Sequence, residues 1–166
     1  TTALARALSA RGKYVEAAKL LIGSVASWEW NFGGEHLATL MARSTLATTL
    51  LEQGRAGEAE AMLRAVLAIQ ESTMPPNHWS TLRTMSSLGD ALMRQAKVSD
   101  AEQLFRAVLE GRRATLPRGH RFIVDAMRKL ADALHESGKD DESQMLLKEA
   151  EELEKVRSQS MSPRKP

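Results

Sequence analysis

Four histidines are the residues best suited to acid–base or metal chemistry, and three keep a fixed interval: His36, His78 and His120 lie 42 residues apart. An imidazole can ligate a transition metal or carry a proton near neutral pH. A shared metal needs its ligands within a few ångströms of one another, yet groups that recur once per repeat of packed helices stand at least ~8–10 Å apart. The regularity that draws attention to these histidines therefore keeps them apart. Their expected role is structural, each imidazole satisfying backbone groups where a loop turns into a helix. His135 stands outside the series, and a surface role is expected for it. The chain has no cysteine, which excludes disulfides, thiolate zinc sites and a Cys nucleophile. HExxH, GxSxG, P-loop and GxGxxG patterns are absent. No catalytic residue, metal or cofactor is expected, and the chain reads as non-enzymatic.

The elements that hold these residues follow from the same interval. It links Leu4, Leu46, Leu88 and Leu130, then Leu8, Leu50, Leu92 and Leu134, then Ala17, Ala59, Ala101 and Ser143. It also links Gly12, Gly54 and Gly138, with Ala96 in the glycine's place in the third unit. Within a unit the apolar residues fall at helical spacing: Met85, Leu88 and Leu92, then Ala101, Leu104, Phe105, Val108 and Leu109. The glycine between two such runs marks a helix end, and Ser99-x-x-Glu102 reads as a capping box. Pro75, Pro76 and Pro117 fall between units and interrupt no run. Helices are expected over residues 2–10, 14–29, 37–52, 56–71, 79–95, 98–113, 121–136 and 140–156. These form one repeat domain, with units of about 1–31, 32–73, 74–115 and 116–156. Residues 157–166 read as a disordered basic tail. Helix pairs in tandem bury their apolar faces on their neighbours, so the expected fold is an all-α, right-handed solenoid.

With 43% apolar residues the composition is that of a folded chain, and no apolar run approaches the ~18–20 residues of a membrane span. The chain opens Thr1-Thr2 without an initiator Met or a signal-peptide pattern. An intracellular setting is expected: the cytoplasm, or an organelle if a targeting segment has been removed.

The order Leu88-Gly89, Leu92, Ala101, Phe105 resembles the tetratricopeptide pattern. The 42-residue period, with His-x-x-Thr-Leu opening the first helix of a pair (His36 to Leu40, His78 to Leu82), is similar to the kinesin-light-chain type of that repeat. The proline that the type carries after the histidine is replaced by Leu37, Trp79 and Arg121. The resemblance implies an adaptor or scaffold that binds a peptide or helix in a concave groove lined by the first helix of each pair. Carried over position by position, that lining is Arg6 and Ser9; Met41, Ser44, Thr48 and Leu51; Arg83, Ser86, Asp90 and Met93; Asp125, Arg128, Asp132 and His135. The family's carboxylate clamp needs asparagines, and the chain has only Asn31 and Asn77.

A nucleic-acid partner is the competing class, since helical arrays can read single-stranded RNA. Its support would be Arg106, Arg112, Arg113, Arg118, Arg121, Arg128, Lys129 and the tail. Against it stand a net charge of only +2, interspersed Asp90, Asp125 and Asp132, and few aromatic rings for stacking. One or more protein partners are expected, as ligands of an adaptor or as neighbours of a peripheral subunit in a larger assembly. Phe32 aligns with Met74 and Leu116 and is expected in the core. Trp28 aligns with Gln70 and Arg112, Trp30 with Ser72 and Ala114, and Trp79 with Leu37 and Arg121. The repeat does not require Trp at these places, so the three are candidate partner contacts, with Trp28 and Trp30 alternatively closing a gap beside the short first unit.

Overall fold

The computed structural model describes residues 2–161; the rest of the expected tail, 162–166, and the Arg6 side chain lie outside the described residues. The helices run α1 Thr2–Ala10, α2 Tyr14–Phe32, α3 Leu37–Glu52, α4 Ala56–Thr73, α5 Trp79–Met93, α6 Val98–Thr115, α7 Arg121–Glu136 and α8 Asp140–Met161. The second helix of each pair outruns its expected end by two to five residues, and α8 carries helix into the segment read as a tail. No strand occurs among the described residues. The chain packs as two compact units that divide after Ala96. The division falls inside the third sequence repeat, between its two helices.

Two kinds of punctuation set the pairs. At the start of α3, α5 and α7, the Nδ1 of His36, His78 and His120 accepts the amide N–H of Ala38, Ser80 and Phe122 at 3.3, 3.4 and 3.2 Å. An acceptor at this place satisfies an otherwise orphaned donor and contributes ~1 kcal/mol. Within each pair the first helix ends in a left-handed residue, with φ of 73° at Gly12, 80° at Gly54, 57° at Ala96 and 76° at Gly138. The next amide then reaches back to a carbonyl of the last turn: Lys13 to Leu8, Arg55 to Leu50 and Lys139 to Leu134.

The expected capping box does not form. Lys97, not Ser99, holds the cap position of α6, so Ser99 already lies inside the helix. The Glu102 carboxylate accepts from Lys139 Nζ at 2.9 Å and from Ser137 Oγ at 3.4 Å instead.

In the first unit, α1, α3 and α5 form one layer and α2 and α4 the other, each helix packed on its neighbours in sequence. The α3 helix also touches α1 and α5 directly, so the first layer is the tighter one and forms the inside of the curve. Ala17, Leu21, Leu40, Ala59, Leu63, Val66 and Leu88 are sealed between the layers. In the second unit α7 packs against both α6 and α8, around Ala101, Phe105, Val108, Met127, Leu130 and Leu134. Ser143 holds the place of the small alanine there and donates its hydroxyl to the Ala131 carbonyl at 2.8 Å.

Candidate functional site

A concavity of about 560 Å³ opens on the inner layer of the first unit, centred on α3. Its floor comes from successive turns of that helix, with Ala38, Met41, Ala42, Thr45, Thr48 and Thr49. Trp28 forms a wall, Ser9 of α1 a second edge, and Arg83 and Ser87 of α5 a third. The threonine hydroxyls do not face a ligand. Thr45 Oγ1 donates to the Met41 carbonyl at 2.8 Å, and Thr48 and Thr49 donate to the Thr45 carbonyl at 2.8 and 3.0 Å. With those hydrogen bonds made inside the helix, the residues present methyl groups. Glu52, at the rim, is held by Arg94 at 3.1 Å.

Of the residues expected to line a groove, Ser9, Met41, Ser44, Thr48 and Arg83 come together here, beside Trp28. Others do not join them. Leu51 is 4% exposed and belongs to the core; Ser86 is buried as well. Ser44 reaches the groove with little of its surface, because its hydroxyl lies 3.3 Å from that of Thr84 and bridges α3 to α5. Met93 is half-buried and Asp90 half-exposed, and neither lines the concavity. Ser87, Thr45, Thr49 and Glu52 were not anticipated; each lies one position from an expected one, which locates the error in the rotation assumed for the helix.

The expected residues of the second unit lie on the exposed face of α7, where three are ion-paired. Asp125 receives Arg112 at 3.0 Å, Arg128 meets Glu154 at 2.7 Å and His135 meets Asp140 at 2.6 Å. Asp132 is exposed. The Asp140 carboxylate, accepting a hydrogen bond from the protonated imidazole, raises the pKa of His135 above its ordinary 6.5. The clefts of this unit lie elsewhere, between the Arg118–Gly119 turn and the Leu153 side of α8.

Four of the basic residues that would support nucleic-acid binding, Arg106, Arg112, Arg113 and Arg128, are paired with carboxylates. Arg106 pairs with Glu142 at 2.6 Å and with Glu102 at 3.0 Å, and Arg113 with Glu149 at 2.9 Å. Arg112 and Arg128 are the partners of Asp125 and Glu154. The Arg106 guanidinium holds the Glu142 carboxyl below the ordinary carboxylate pKa.

The aromatic residues divide. Trp28 is half-buried on the groove wall, Trp30 is 90% exposed and Trp79 about half exposed. Phe32 is 55% exposed, which corrects its expected place in the core. Helix α2 runs on to Phe32 and turns the ring along its own surface, toward Trp28 and His36, rather than inward.

Among the described residues no three His, Asp or Glu side chains are grouped as metal ligands, and no helix is long and apolar enough to cross a membrane.

Residues 1–72 and 80–155 match the profile of the Tetratricopeptide repeat family, and the chain belongs to that family. Its fold is the all-α solenoid of antiparallel helix pairs. The nearly identical TPR-like repeats of a protein described as a kinesin light chain of Podosopora anserina are 23% identical, with a TM-score of 0.63 over 95% of this chain and 94% of that one. BtubC (BKLC) from P. vanneervenii is 13% identical and superposes with a TM-score of 0.81 over 98% of this chain and 64% of its own. The TPR domain of Arabidopsis FLU is 20% identical, with a TM-score of 0.62 over 70% of this chain and 95% of that one. No curated protein matches the sequence significantly. Repeats of this family are in general scaffolds for protein interaction.

Proposed function

We propose that the chain is a non-catalytic interaction module whose groove on α3 holds a peptide or a single helix of a partner protein. One observation carries this reading: an open, largely apolar concavity floored by Met41 and methyl-presenting threonines and walled by Trp28. Methionine adapts its shape to varied apolar surfaces, and tryptophan is over-represented among residues that dominate binding energy. A small-molecule site would instead bring several polar groups to converge on one point. The test is Met41→Glu combined with Thr48→Glu. Both side chains are half-buried at the surface, so the fold tolerates the change, while an unpaired carboxylate pressed against an apolar ligand costs more than the contact returns. Partner capture should be lost with helicity and melting temperature unchanged; capture by the folded double variant would move the site off this groove.

A second reading, a subunit held within a larger assembly, is supported by α1. Leu4 is 56% exposed, whereas its repeat equivalents Leu46, Leu88 and Leu130 are 6, 1 and 2% exposed.

A further inference from the structure

At three places in the chain an aromatic ring sits beside the histidine that caps the first helix of a pair. At two of them the ring already carries a cation. Trp79 lies against His78, ring centres 5.6 Å apart, and the Arg83 guanidinium stands 5.6 Å over the indole. Phe122 lies 5.1 Å from His120, with the guanidinium groups of Arg112 and Arg121 at 5.5 and 4.8 Å.

The third place is different. Trp28, Phe32 and His36 form a continuous row, with ring centres 5.3 and 4.9 Å apart, and no cation over a ring is found there among the described residues. The repeat register shows why. The positions of Arg83, Arg112 and Arg121 correspond to Met41, Trp28 and Leu37 in this third place.

Among the described residues the charge near the row is mostly acidic, with Arg43 reaching in from α3 to Glu29 and the Gly34 turn. Between Lys19 and Arg43 the chain carries Glu29 and Glu35 and no lysine or arginine. Glu29 accepts from Arg43 Nε at 2.9 Å, while Glu35, next to His36, is exposed with no partner among the described residues. Electron-rich ring faces and a free carboxylate together favour a cation, and a guanidinium above all, because it stacks on the ring while its edge donates to a carboxylate.

We infer that the Trp28–Phe32–His36 row, continuous with the groove through Trp28, seats an arginine side chain of the partner, so that the segment bound is cationic. The inference rests on the groove reading above and adds the chemistry of the ligand. The row supplies from outside the contact that the other two places make with arginines of their own chain.

The test uses a random library of displayed 12-residue peptides, selected on the whole 166-residue chain. The strongest binders are then synthesised with arginine and with citrulline, its neutral isostere, and titrated calorimetrically. The expected result is an excess of arginine among the selected peptides and a loss of about fivefold or more in affinity on each effective citrulline exchange. Phe32→Leu should erase the difference between the two peptides, and Glu35→Lys should reduce it, while Trp79→Leu leaves it intact; melting curves check that each variant is folded. Selected peptides without an arginine excess, equal affinity for the citrulline form, or a difference that survives Phe32→Leu would each overturn the inference. If such peptides are nonetheless lost on Met41→Glu, the groove reading stands and only the arginine fails. If Met41→Glu has no effect either, or no peptide is selected, both fall.

Discussion

Ala96 shows a single residue working against its backbone. Its φ of 57° places a Cβ-bearing residue where Gly12, Gly54 and Gly138 serve in the other pairs. A left-handed conformation costs an alanine roughly 1 kcal/mol, which glycine avoids at the expense of a freer unfolded chain. Ala96→Gly should therefore raise stability by about 0.5–1 kcal/mol in chemical denaturation, opposite to the usual direction for Ala→Gly in a helical protein. A loss of stability would mean that the turn does not impose this conformation in solution.

Between elements, the second unit is tied by charge as well as by its core. Glu102, 7% exposed on α6, accepts from Lys139 at the α7–α8 turn and from Arg106 one turn along its own helix. The Lys139 hydrogen bond chiefly holds the Glu102 carboxyl below its ordinary pKa of 4.5. A depressed carboxylate contributes its stability above that ordinary value and loses it as pH falls through the lower, folded one. Lys139→Met leaves the buried carboxylate with fewer partners. It should cost about 1–2 kcal/mol at pH 7, and the deficit relative to the parent should shrink in titrations toward pH 3. A deficit that stays constant with pH would assign the loss to packing. The helices themselves were legible because one interval repeats leucine, alanine, glycine and histidine together. The ion pairs were not read, although a signal exists: Glu102–Lys139, Arg106–Glu142 and Arg113–Glu149 join opposite charges 36 or 37 residues apart, a little less than one repeat. Phe32 and Leu51 were misplaced for a related reason. Alignment identifies an apolar slot, but whether its ring or methyl groups face core or solvent depends on helix rotation and length, as α2 shows by running on to Phe32.

For the molecule as a chain of repeats, position in the array decides what a residue contributes. In the first unit α3 packs on α1 and α5 on α3, and Leu46 and Leu88 are buried, whereas Leu4 on α1 is uncovered among the described residues. Leu88→Ala should cost 2–5 kcal/mol and Leu4→Ala well under 1 kcal/mol, although the two leucines are equivalent in sequence. Comparable costs by urea denaturation would mean that α1 is covered in solution, as by self-association, which dilution would reveal.

The threonines of α3 have one more consequence. A floor whose hydroxyls are committed to its own carbonyls cannot question a ligand's backbone or spell out a sequence letter by letter. It can only measure width and greasiness. Under the proposed groove reading, a partner can therefore drift through many apolar spellings along that stretch over evolutionary time and keep its seat, and discrimination falls to the few groups on the rim.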